Sequence, residues 1–313
     1  MLVEENAVEP ARLAGYPHPQ AHLLDELRWL NRLIAAQVLR LRRVNFYDGV
    51  KDFRGFFVAE EEIDALLAAG IFENNGHLDH DRGASQTELL LAQADAIRRE
   101  IDARIAATRD TNVVLPLARL SQDFGLSDFE TQALTICLAP QIEARYEKLY
   151  AYLQDNLARK YPGVELILNL LAGDAEERLS LLPAFDSASP LLRYGLLEFT
   201  EQSTGASAAQ HFLRVDPRIV QFALGNRSSD RRLRSYLRFM RPLSWKAVVI
   251  RKELQQQLQT LFQTMLREPA MLRPSLFLHG RAGVGKKTVA RALCSEMGIA
   301  LAVVDVRKLL RQP

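Results

Sequence analysis

Cysteine is nearly absent from this chain: among 313 residues there are two, Cys137 and Cys294, far apart and each on an apolar helical pattern. Such a pair makes no disulfide framework, and both read as small hydrophobes buried in a protein of a reducing compartment. An excess of one charge is missing too. Lys and Arg number 40 against 38 Asp and Glu, a net of +2, so any basic partner surface must be local. No apolar run is long enough to span a bilayer, and the start, Met1-Leu-Val-Glu-Glu-Asn6, has acids where a secretory signal needs bases. These absences set aside the membrane, secreted and polycationic classes and predict a cytoplasmic location. What is plentiful is core: 48% hydrophobic and 25% charged residues describe an ordinary chain of one or two domains.

Apolar residues recur at helical spacing over much of the length. Leu23, Leu27, Leu30, Ile34, Val38 and Leu41 stripe a helix over 21–43, and Arg40, Arg42 and Arg43 crowd its last turn as solvated charges suited to the helix dipole. A shorter helix is predicted over 60–69, and Phe53, Phe56 and Phe57 before it are expected to plug a core. The loop 74–83 holds His77, Asp79, His80 and Asp81, but their spacing fits neither an EF-hand nor a zinc pattern, and it reads as a polar connector. A second long helix, 87–107, carries Leu90, Ala94, Ile97, Ile101 and Ile105 along one side.

The next stretch has a different texture. A helix over 117–124 stops at Gly125, and Ser127-Asp-Phe-Glu130 is a capping box that opens another, a helix-turn-helix outline. Further helices follow from about Gln141 and over Val164–Leu171, after Pro162. The runs 194–199 and 211–215 are strand-like and the segment between them is rich in Ser, Gly and Ala, which predicts a hairpin. Helices followed by a hairpin make a winged-helix arrangement. A DNA-reading version needs Arg, Lys, Asn or Gln on its recognition helix. The helices 127–138 and 164–171 contain neither Lys nor Arg, so protein contact fits better than nucleic acid. Farther on, Arg231, Arg234, Arg238 and Arg241 predict a helix over 226–242 with one basic face, followed by a strand over 245–250 and a helix over 252–266 whose Leu254, Leu258, Leu261 and Met265 face inward.

The most specific chemistry lies near the C-terminal end. Ser275-Leu-Phe-Leu-His279 reads as a buried strand, and Gly280-Arg281-Ala282-Gly283-Val284-Gly285-Lys286-Lys287-Thr288 follows at the G-x-x-x-x-G-K spacing of a phosphate-binding loop, opening a helix. Glycines let the backbone curl so that N–H groups converge on an anion, the helix presents its positive end, and Lys286 adds a full charge. A plain glycine-rich turn does not explain that lysine. The position after it is normally Ser or Thr, a Mg2+ ligand, and here it is Lys287. Thr288 stands about 100° further round the helix.

Leu276 to Lys286, with the β-prone run and helix ahead of it, resembles the start of an AAA+ ATPase module. The stretches 115–126, 138–146, 151–155 and 190–198 are similar to the winged-helix domain ahead of that module in a group of bacterial AAA ATPases, some of which accompany contractile injection particles. The resemblance implies ATP as cofactor, with the backbone of Gly283 to Lys286 around the β-phosphate, Lys286 on the γ-phosphate and residues 247–250 near the adenine. It implies Mg2+ in a complete module, a ring homo-oligomer, and hydrolysis coupled to remodelling a protein partner. The acidic third-strand motif, polar sensor, arginine finger and helical lid do not follow Thr288 here. No catalytic residue is therefore assigned in this chain, which is expected to be a fragment or truncated product of a longer ATPase, with 271–313 marginally ordered on its own. The expected fold is mainly α, with a winged-helix-like α+β domain followed by the incomplete start of a P-loop α/β (AAA+) module. Its segments are a helical region over 1–110, the winged-helix-like domain over 111–225, a basic linker helix and entry segment over 226–270, and the partial nucleotide module over 271–313. The alternative is a non-catalytic winged-helix adaptor that binds protein or, as a weaker version, DNA.

Overall fold

The computed structural model describes residues 13–43, 60–68, 83–156, 159–200, 211–226, 233, 235–267 and 276–310. The chain divides into two compact units, Met1–Arg227 and Ser228–Pro313.

The first unit is built around α1, Pro19–Arg43. Its stripe from Leu23 to Val38 is buried as the periodicity predicts, while Leu41 is half-buried. Burial also runs further round the helix, taking in His22, Asp25, Glu26, Trp29 and Leu33. The cause is that α1 is covered from several sides: by α3 (Gly83–Thr108) most extensively, and by α5 (Asp128–Ile142), α6 (Arg145–Leu153) and α7 (Val164–Leu171). A helix keeps a solvated face only where nothing packs on it. The helices of the N-terminal segment and those of the segment after residue 110 therefore share one core. The reading of Arg42 as a solvated charge is corrected: its Nη1 donates to Asp64 Oδ1 of α2 (Glu60–Ala68) at 2.8 Å, with the Arg42 side chain 9% exposed. The phenylalanines at 53, 56 and 57 and the histidine–aspartate loop at 74–83 lie outside the described residues, apart from the backbone of Gly83.

α4 (Pro116–Phe124) stops where expected, at Gly125, whose φ of 64° is left-handed and favours glycine. The capping box forms. Glu130 N donates to Ser127 Oγ at 3.2 Å, and Ser127 N donates to Glu130 Oε2 at 2.8 Å. Pro140 lies inside α5 and has no N–H to offer the carbonyl of Ile136. The hydroxyl of the buried Tyr150, on α6, donates to that carbonyl instead, at 2.8 Å. Tyr150→Phe is expected to destabilise this unit by about 1–3 kcal/mol, the cost of a buried acceptor left without its donor. Urea unfolding followed by circular dichroism measures it, and an unchanged midpoint would refute this role for the hydroxyl.

The hairpin also forms. β1 (Leu197–Phe199) and β2 (Leu213–Val215) are antiparallel, with Leu197 opposite Val215 and Phe199 opposite Leu213. Glu198 and Arg214, directly opposed, make an ion pair at 3.1 Å. The entry to α7 leans on β2: Val164 N donates to His211 O and Leu213 N to Pro162 O. The connector 200–210 is outside the described residues except Thr200. Three short helices escaped the sequence reading: α8 (Ala175–Leu181), α9 (Pro190–Arg193) and α10 (Pro217–Ala223). α8 buries none of its residues and so shows no apolar period. The Asp216-Pro217 start of α10 was a legible signal, since Asp216 caps Arg218 N at 2.6 Å and proline suits the first turn.

The second unit departs from expectation in three places. The basic helix predicted over 226–242 is not formed in its described part, where β3 (Leu237–Met240) is a strand. It pairs antiparallel with β4 (Leu301–Val304), Leu237 opposite Val304 and Met240 opposite Leu301. A strand edge needing hydrogen-bond partners overrides a weak helical period. Arg238 and Arg241 are exposed, while Arg231 and Arg234 lie outside the described residues. In place of the strand predicted over 245–250 there is a single 3-10 turn, Trp245–Ala247, capped by Ser244. Residues 276–281 form no strand ahead of the glycine loop, and Phe277 is 85% exposed. Parallel strands satisfy their backbone groups only between neighbours, and no described segment pairs with this one.

The helices of this unit do follow the sequence. α11 (Lys252–Arg267) and α12 (Lys286–Glu296) pack together through Leu258, Val289 and Leu293, with Trp245, Val248, Ile250 and Phe262 half-buried around them. Leu254 and Leu261 of the α11 stripe are exposed. Glu296 of α12 accepts from Trp245 Nε1 and, at 2.7 Å, from Gln259 Nε2. After β4 a short helix, α13 (Val306–Leu309), is capped by Asp305.

Candidate functional site

The loop from Gly280 to Thr288 is turned by its glycines. Gly280, Gly283 and Gly285 have φ of 146°, 87° and 88°, values that side-chain-bearing residues rarely adopt. At Gly283 and Gly285 an added Cβ would meet nothing within 4 Å, so backbone conformation and not crowding selects glycine. At Gly280 a Cβ would lie 3.2 Å from Val284 Cγ2, so the loop also closes tightly there. Gly285 is the N-cap of α12, and no side chain caps the helix and no acid stands in its first turn. Lys286 folds back over the loop, its Nζ donating to the carbonyls of Gly280 and Arg281 at 2.7 Å each. Arg281, Ala282, Gly283, Val284 and Lys287 are exposed, whereas Thr288 is half-buried. The structure thus brings together every residue predicted from the loop motif, while the predicted strand leading in is missing.

A loop of this kind offers an anion uncapped N–H groups at a helix start, glycine turns and an ammonium whose hydrogen bonds can be exchanged for anionic acceptors. It does not fit Mg2+. Lys287 occupies the hydroxyl position, and an ammonium has no lone pair to give a cation. Among the described residues no group of three His, Cys, Asp or Glu is placed to hold a metal ion.

In the first unit a buried ionic network was not anticipated. Glu26, 1% exposed, accepts from both terminal nitrogens of Arg98 at 2.9 Å and pairs with the equally buried His22 at 3.1 Å. Burial acts to raise the Glu26 carboxyl, but the hydrogen bonds from His22 and Arg98 and the guanidinium charge outweigh it and bring it down to about 2. Alongside, Asp25 accepts from Arg104 at 2.6 Å and from the Tyr16 hydroxyl at 3.1 Å. The Arg104 guanidinium lies 4.1 Å over the Tyr16 ring. The available signal was Asp25 and Glu26 sitting within an otherwise apolar stripe. An open groove of about 1180 Å3 runs past this network, bordered by Arg98, Arg109, Arg119, Gln122 and Asp128.

Residues 4–237 match the family profile described as winged helix domain, variant. The chain belongs to that family. The match spans the helices and hairpin of the first unit and ends ahead of the glycine loop, so it speaks to the fold and not to nucleotide chemistry. No curated protein and no solved structure was found to match the chain. In this winged helix domain, α5 opens on Asp128 and Glu130 and carries no Lys or Arg; α7 opens with Glu165 and likewise carries none. Cys137 is buried and Cys294 half-buried, both as free thiols. Among the described residues no helix is long and apolar enough to cross a membrane.

Proposed function

We propose that the loop Gly280–Thr288 binds the phosphates of ATP and that the chain belongs to an AAA+-type ATPase, in which a winged helix domain precedes the nucleotide-binding loop. The observation carrying this reading is the combination at one place of three positive-φ glycines, an uncapped helix start and the Lys286 ammonium folded over the loop. When ATP is bound, its phosphates meet the backbone N–H groups of Gly283 to Lys286, and Lys286 exchanges its carbonyl partners for phosphate oxygens. ATP supplies the free energy that the assembled protein, a ring homo-oligomer in the cytoplasm, uses to remodel a protein partner. The acidic, arginine-free α5 and α7 support a protein partner over nucleic acid.

Titrating ATP against the whole chain and against Lys286→Ala by calorimetry tests the reading. Loss of the ammonium is expected to weaken binding by tenfold or more, on the order of the 1.5–3 kcal/mol carried by a charged hydrogen bond. Equal affinities would remove the loop from consideration.

A further inference from the structure

We propose that this loop takes a nucleotide's phosphates as a bare polyanion, without a divalent metal, and that Lys287 supplies the charge a cation would otherwise bring. The inference rests on the nucleotide reading above and deepens it. Gly280 to Thr288 carries Arg281, Lys286 and Lys287 and no carboxylate, a local concentration of positive charge in a chain that is otherwise nearly balanced. Lys286 and Lys287 are successive helical residues, so their side chains leave α12 about 100° apart and cannot duplicate one role. Lys286 must exchange its bonds to the carbonyls of Gly280 and Arg281 to meet a phosphate, whereas Lys287 is exposed in the first turn, where the helix dipole already favours an anion. An ammonium at that position has three donors and no acceptor: it can hydrogen-bond phosphate oxygens but cannot ligate Mg2+, and its charge repels one. The half-buried Thr288 is displaced round the helix from the position a metal-binding hydroxyl needs. A metal-free triphosphate is a more highly charged anion than its magnesium complex. The three cations therefore gain more from the free anion, and magnesium competes with them for the same oxygens.

The test is calorimetric titration of ATP and of ADP into the full chain, in excess EDTA and in millimolar Mg2+. The wild-type chain is expected to bind ATP at least as tightly in EDTA as in Mg2+. Lys287→Gln, which removes the charge without restoring a hydroxyl, is expected to weaken binding in EDTA about fivefold, the Coulomb contribution of one exposed cation close to a phosphate. Lys287→Thr is expected to show the same loss in EDTA and to recover when Mg2+ is added. Lys287 is exposed, and circular dichroism checks that both variants remain folded. Wild-type binding that falls tenfold or more in EDTA, yet still depends on Lys286, overturns the metal-free inference and leaves the nucleotide reading standing. Unchanged affinity of Lys287→Gln in EDTA overturns the role given to that lysine. No binding in either buffer overturns both.

Discussion

Replacing Glu26 with alanine is expected to cost the first unit about 3–5 kcal/mol, the range for removing one partner of a buried ion pair. The variant keeps Arg98, whose side chain is 18% exposed, and leaves its guanidinium without the carboxylate that neutralised it across two 2.9 Å hydrogen bonds. Its other carboxylate neighbour, Asp102, is 3.3 Å away but 64% exposed, too solvated to substitute. Thermal melting followed by circular dichroism should show a drop of about 10 °C. A melting point within a degree of wild type would refute the assignment. Replacing both partners, Glu26→Leu with Arg98→Met, is expected to lose less than Glu26→Ala alone, because no buried charge is then stranded.

The same carboxylate gives a pH dependence of definite sign. Its folded value, about 2, lies below the usual 4.5, so the stabilisation is complete above pH 4.5 and is lost as pH falls from there towards 2. The difference corresponds to about 3 kcal/mol. Wild type should therefore lose stability over that interval, and the loss should be smaller in Glu26→Gln.

Leu134→Ala is the second large effect. Leu134 is 0% exposed on α5, which packs against α1, α6, α7 and β2. Truncation is expected to cost about 2–5 kcal/mol, the removed methyl groups plus the cavity they leave. Leu261 of α11, a leucine on an equally clear apolar stripe, is 49% exposed, and Leu261→Ala is expected to change stability by less than about 1 kcal/mol. Urea midpoints of the two variants separate these expectations, and similar losses would contradict the burial described for both.

The contrast between these leucines shows how far periodicity reaches. It locates a helix and names a face, and α1, α3 and α11 all lie where their stripes predict. Whether a face is covered depends on what packs there, so burial on α1 widens beyond its stripe while that of α11 stays half open. In the candidate site the glycines and Lys286 were legible because the turn is made within nine residues and each positive φ is a local demand. The strand predicted ahead of it does not form in residues 276–281, because strand formation is settled by an edge contributed from elsewhere in the chain.

By itself, then, the sequence determined what neighbouring residues can settle: the Gly125 stop, the Ser127–Glu130 capping box, the β1–β2 hairpin and the glycine turns before α12. Only the tertiary structure decided that Glu26 meets Arg98 across 72 residues, that Tyr150 supplies the donor Pro140 cannot, and that 237–240 pairs with 301–304 as a strand. Caps and turns close their hydrogen bonds within a few residues, so local chemistry specifies them. Buried charges and strand edges are satisfied only by partners distant in the chain, and nothing in the local pattern names those partners.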